Sequence, residues 1–323
     1  MDTHQYVGVE PATRAFLERL AEQKGAALSE LPLAEARELF ARNETSEGGE
    51  KRAADIEEGT VPGPHGPVEI RIVRPPGVSH LMPGVMFFHG GGWVFGDRHT
   101  HDRLVRAIAN EAGVAVIFVA YTRPPAARYP VAIEEAYAAT RWVAEHGPSI
   151  QVDPSRLAVM GDSAGGNMAA AVTLLAQARG GPRLSFQVLC YPVTDASFDT
   201  PSHLSYKEGY MLTGDGVRWS WDQYAPDPGQ RGEPTASPLR APLEQLAGLP
   251  PALVMTAEFD VLRDEGEAYA RRLMEAGVQV TATRYLGTIH AFLNVGALAR
   301  TPAARAGLAQ VAAELRTVFF GGN

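Results

Sequence analysis

Arg156 to Val172 reads RLAVMGDSAGGNMAAAV. Leu157 to Met160 are apolar without the alternation of a half-exposed strand, so a strand buried on both faces is expected there. Gly161-Asp162-Ser163-Ala164-Gly165 then matches G-x-S-x-G, and an alanine-rich helical pattern follows at once. A strand, a tight turn and a helix around that serine are the context in which this motif presents a nucleophile. The helix N-terminus directs its partial positive charge at the serine oxygen. A serine that merely caps a helix would explain Ser163 but neither Gly161 nor Gly165.

The surrounding chain has the same texture. Apolar runs VMFFH (85–89), VAVIFVAY (114–121), FQVLCYP (186–192), ALVMTAE (252–258) and VQVTATRY (278–285) alternate with helical patterns at 101–113, 131–147, 164–180 and 264–277. Doubly buried strands alternating with helices predict an α/β fold, a mostly parallel central sheet flanked by helices. VEIRIVRP (68–75) alternates with period two and suits an antiparallel edge strand. PAARAGLAQVAAELRTVFF (302–320) closes the chain as a helix. The first 50 residues read as two amphipathic helices, with Phe16, Leu17 and Leu20 on one inward face and Leu33, Ala36, Leu39 and Phe40 on the other. ETSEGGEKRAAD (44–55) reads as a loop.

One interval breaks the alternation. About 55 residues separate LCYPVTD from LPPALVM, and they are rich in aromatics and methionine. So long a connection in a compact domain usually has a function. It is expected to fold as a helical insertion over the C-terminal end of the strands. The division that follows is an N-terminal helical cap segment (1–50), a first core part (51–195), a cap insertion (196–245) and a second core part (246–323).

Composition excludes other classes. With 323 residues, 45% of them hydrophobic, the chain can bury a large core. A net charge of −8 without a basic block argues against nucleic acid. A single cysteine, Cys190, forms no internal disulfide or zinc site and reads as a small buried hydrophobe. No secretory pattern opens the chain and no apolar run is long enough to span a membrane, so a cytoplasmic protein is expected.

A nucleophilic serine needs a base, and the base needs an orienting acid. Of the nine histidines only His203 and His290 follow Ser163. His203 falls in the insertion, whereas His290 follows the last strand, as the base should. The acid belongs after ALVMTAE, where Glu258, Asp260 and Asp264 are candidates. Glu258 is close to the strand end, and Asp264 sits where an acid favours a helix dipole for structural reasons. Asp260 lies in the loop between them and suits the role best. Asp162 is read as bonding N–H groups of its own turn. His89 is read as a buried ring that bonds the backbone and shapes the glycine loop after it.

HGGGW (89–93), GDSAGGN (161–167), YPVTD (191–195), FDVLRDEG (259–266) and IHAF (289–292) together resemble the bacterial hormone-sensitive-lipase-like esterases, a branch of the α/β hydrolases. The resemblance spans about residues 60 to 295, and the N-terminal helices also resemble that family's cap. It implies a serine carboxylesterase with the triad Ser163, Asp260 and His290, a cap over the site, and neither metal nor cofactor. Backbone N–H groups of Gly91, Gly92 and Ala164 would hold the oxyanion, the glycines also leaving space for the acyl group. The chain departs from the family at Tyr121 to Ala126, where Thr122 and Ala126 replace an arginine and a glutamate; Arg123 and Arg128 are the candidate substitutes.

Trp93, Tyr206, Tyr210, Met211, Leu212, Trp219 and Phe292 are candidates for the substrate pocket, whose composition suits short to medium acyl chains. A lactone, amide or carbamate hydrolase would use the same triad, and a ligand-binding receptor on this scaffold is a rival of another class. The partner expected is a small ester, without stable membrane insertion. The last strand, at a sheet edge, could pair with its mate in a homodimer.

Overall fold

The computed structural model describes residues 6–22, 25–46 and 51–321. Eight strands form one sheet: β1 (Asp55–Gly63), β2 (Gly66–Arg74), β3 (Met82–Phe88), β4 (Ala115–Ala120), β5 (Val152–Asp162), β6 (Phe186–Cys190), β7 (Ala252–Phe259) and β8 (Val280–Ile289). Their order is β1-β2-β4-β3-β5-β6-β7-β8. β2 pairs antiparallel with both β1 and β4, and every pairing from β4 to β8 is parallel.

The helices are α1 (Pro11–Glu22), α2 (Leu33–Thr45), α3 (Asp102–Ala112), α4 (Val131–His146), α5 (Ala164–Ala178), α6 (Pro201–Ser205), α7 (Gly214–Tyr224), α8 (Pro228–Arg231), α9 (Leu243–Leu246), α10 (Arg263–Glu275) and α11 (Pro302–Phe320). α4, α5 and α10 cover one face of the sheet, α3 and α11 the other. The continuous apolar strands serve both layers. In β3, Met86 and Phe88 face the first layer while Val85 and Phe87 face the second. Each such burial contributes roughly 1.5–3 kcal/mol, so a strand with two wet faces would forfeit most of its stabilisation. Cys190 packs in the second layer, fully buried, as expected.

Two expectations need correction. VEIRIVRP is not the edge strand: β2 is flanked by β1, which forms the edge through a tight hairpin at Gly63–Gly66. β1 is hidden in the sequence because nearly all its side chains are exposed, Val61 alone being buried. The stretch expected as a loop at 44–55 begins inside α2, which runs to Thr45; its residues 47–50 lie outside the described ones, as do 23–24 at the expected end of the first helix. β8 forms the other edge. No helix among the described residues is long and apolar enough to cross a membrane.

Candidate active site

Parallel strands deliver their C-terminal ends to one side of the sheet, and the predicted residues meet there. β5 ends at Asp162, and Ser163 follows at φ 55°, ψ −118°, a conformation that side chains rarely adopt. Ser163 N donates to Cys190 O at 2.8 Å, while Ser163 O accepts from Asn167 N and Val193 N. These bonds hold the strained turn from three directions. A Cβ at Gly161 would overlap the carbonyl oxygen of Gly165, so that glycine is a steric necessity.

The Ser163 hydroxyl donates to His290 Nε2 across 2.9 Å, and His290 Nδ1 donates to Asp260 Oδ2 across 2.7 Å. Asp260, after β7, is 1% exposed, and its other oxygen accepts Leu262 N at 3.0 Å. Both carboxylate oxygens are thereby fixed, which sets the imidazole tautomer with the lone pair toward Ser163. Tyr191 meets the His290 ring edge-on, with centroids 5.1 Å apart. Glu258 instead accepts Gly287 N at 2.7 Å, and Asp264 accepts Ser202 N at 2.7 Å. Both are structural, which leaves Asp260 as the partner of His290.

His89 behaves as expected. Its Nδ1 lies 2.8 Å from Gly90 O, and its ring is stacked on Tyr121 and Phe118. Burial pushes its pKa well below the ordinary value, so it stays neutral. Asp162 differs from expectation. Its carboxylate accepts not from its own turn but from Gly90 N, at 2.9 Å, on the glycine loop. His101 Nε2 lies 3.3 Å from the same carboxylate. Burial opposes the His101 imidazolium, but Asp162, Glu44 and the Asp97 carbonyl together outweigh it and the pKa is raised. Asp162 thus locks the glycine loop to the serine turn.

The glycine loop also needs its glycines for a different reason than space for the acyl group. Gly91 and Gly92 have φ +106° and +59°; a Cβ on Gly91 would lie 2.6 Å from Phe95 O, and one on Gly92 would overlap Ser220. The glycines allow the loop's own fold under α7. Their N–H groups and that of Ala164, at the start of α5, meet no protein acceptor among the described residues. Where the family pattern is missing, Thr122 bonds Glu135 through both N and Oγ1, at 2.7 and 2.8 Å. Arg123 donates to Gly96 O and so supports the loop, whereas Arg128 makes no side-chain hydrogen bond or ion pair among the described residues. From α2, Arg37 adds bonds to Val94 O and Pro124 O.

Ser163 and His290 open into a cavity of about 450 Å³. Of the predicted pocket residues, Trp93, Met211, Leu212 and Trp219 line it. Trp93 is also packed flat on Tyr224, at 4.0 Å. Tyr206, Tyr210 and Phe292 do not line it. The two tyrosines pack against Phe259, and Phe292 against Tyr191 and Tyr285. Sequence reading placed α2 in the cap but did not name its cavity residues: Leu39, Phe40 and Glu44 form a wall, with Phe40 stacked on Phe95 and Phe95 on Trp219. Amphipathicity marked Leu39 and Phe40 as inward but not that inward meant a cavity. Among the described residues no group of three or more His, Cys, Asp or Glu side chains converges as metal ligands do.

Glu265, in the first turn of α10, supports the site from below. Its Oε1 accepts Thr194 N and Asp195 N, at 2.7 and 3.2 Å. Burial pushes its carboxyl up to about 8, aided by Asp195 and Asp260 and opposed by the two N–H groups. The folded state therefore holds this proton more tightly than the unfolded chain. That contribution is complete below the ordinary value of 4.5 and is lost as pH rises through about 8. Glu265→Gln keeps the accepting oxygen without the charge. Its Tm relative to wild type should therefore be higher at pH 9 than at pH 5; parallel Tm–pH curves for the two proteins would refute this.

A family model described as the alpha/beta hydrolase fold matches residues 85–294. The ethyl acetate hydrolase of Pseudomonas putida is 41% identical over 71% of this chain and 72% of its own. The esterase LipI of Mycobacterium tuberculosis is 39% identical over 84% of each. The crystal structure of a thermostable esterase from Pseudomonas putida superposes with a TM-score of 0.95 at 48% identity, covering 97% of this chain and 98% of that one. With the motif match spanning most of its length and esterases this similar, the chain belongs to the α/β-hydrolase fold family, in the hormone-sensitive-lipase-like branch of serine carboxylesterases.

Proposed function

We propose that this esterase acts on short- to medium-chain carboxylic esters through an acyl-enzyme formed on Ser163. The observation that carries the reading is the hydrogen-bonded line Asp260–His290–Ser163 opening into a mainly apolar cavity. His290 takes the serine proton as Oγ attacks the ester carbonyl, and Asp260 steadies the imidazolium that forms. His290 then returns the proton to the departing alcohol. Water enters by the same base and releases the acid. The N–H groups of Gly91, Gly92 and Ala164 receive the oxyanion; one such donor typically contributes about 2.7–4 kcal/mol to the transition state. Residues 1–50 and 196–245 together act as the cap that excludes water.

Chain length is set by the walls that α2 and α7 place around the cavity. Each methylene that reaches an apolar wall contributes ~0.8 kcal/mol, about fourfold in kcat/KM, until the chain outgrows the space. The rate profile on p-nitrophenyl esters is expected to climb with acyl length and then to fall before the dodecanoate, once the chain outgrows the cavity. A maximum at or beyond that length would contradict the reading. Matched lactone and anilide substrates belong in the same panel: faster turnover of either would replace the ester as the preferred substrate.

A further inference from the structure

The catalytic cavity has a polar end that hydrolysis itself does not use. Glu44, near the end of α2, and Asn294, after His290, line the cavity that holds Ser163. They are 7% and 3% exposed. Asn294 Nδ2 donates to Glu44 Oε2 at 2.5 Å, and among the described residues neither side chain makes another hydrogen bond. Asn294 Oδ1 is buried without a partner. Glu44 Oε1 accepts no hydrogen bond from a described residue. A buried acceptor left unpaired is expensive, so Asn294 Oδ1, in the lining of a substrate cavity, points to a donor arriving with the substrate.

The charges nearby decide which donor. The His101 and Arg103 side chains already interact with the Glu44 carboxyl, and Arg103 is tied by bonds to Leu293 O and Asn294 O. A cationic ligand would be repelled by both. Burial also pushes the Glu44 carboxyl up to about 7, so its negative charge is weakly held. A neutral hydroxyl supplies a donor without importing charge.

We propose that Glu44 and Asn294 form a hydroxyl-binding subsite, which selects esters carrying a hydroxyl group remote from the scissile bond. This rests on the ester-hydrolysis reading above. The test uses two matched pairs: p-nitrophenyl hydroxyhexanoate against the hexanoate, and hydroxybutyl butyrate against butyl butyrate. Organophosphate titration of Ser163 counts the folded sites in every preparation. In wild type, the hydroxylated member of one pair should be favoured about tenfold in kcat/KM, the effect of one hydrogen bond to a charged or polarised group. Glu44→Met should bring that ratio close to one. A wild-type ratio at or below one in both pairs overturns the subsite without using any variant, and so does a preference that survives Glu44→Met. Absence of turnover for all four esters overturns the ester reading and the subsite with it.

Discussion

Ser163→Ala should lower kcat on an activated ester by about 10⁶-fold while the protein stays folded. The size follows from what the hydroxyl does. It is the atom that forms the acyl bond, and His290 has no other nucleophile at 2.9 Å to activate. What survives is the modest acceleration by backbone donors and binding. Stability should hardly change, because the Ser163 hydroxyl bonds only His290, while the backbone bonds to Cys190, Asn167 and Val193 remain. Stopped assays on p-nitrophenyl acetate and a thermal melt decide the matter. A variant with a tenth of wild-type activity, freed of contaminating wild type, would remove Ser163 from the chemistry.

Much of this was written locally in the chain. The parallel sheet announced itself because doubly buried strands must be apolar on every residue, as in Val85 to Phe88. The triad was legible because chain order fixes which loop each member occupies. β1 was not, since a strand with a single buried side chain has no periodicity to read. The pocket was half legible. Met211, Leu212 and Trp219 reach it, but Tyr206 and Tyr210, from the same stretch, turn to Phe259 instead. Composition says that an insertion is aromatic, not which way each ring faces. Asp162 to Gly90 and Glu44 to Asn294 are contacts across 72 and 250 residues. No local pattern encodes such pairings, and both became visible only once the strands had been ordered.

Gly165→Ala should destabilise the protein by more than ~3 kcal/mol, a single methyl acting above the usual range for overpacking. The reason is what the methyl meets. A Cβ there would overlap the Phe88 carbonyl oxygen and stand 2.5 Å from the Phe88 carbonyl carbon and 2.8 Å from that of His89. These are backbone atoms at the end of β3, not side chains that can rotate away. Phe88 is fully buried and aligned with Gly161 in the sheet, so β3 cannot retreat without breaking its pairing to β5. α5 cannot retreat either, because a Cβ-sized gap on its other flank is absent: Gly166 already abuts Pro192. Melting should drop by roughly 6 °C or more, taking about 2 °C per kcal/mol for a chain of this size. The folded fraction should also lose kcat by about a hundredfold, since the methyl wedges the glycine loop away from Ser163 and moves its N–H groups off the position proposed for the oxyanion. KM should move far less, because the cavity walls on α2 and α7 are untouched. Calorimetry with active-site titration separates the two effects. Wild-type melting together with wild-type kcat would mean that contact between the serine turn and the end of β3 does not hold the two halves of the site in register.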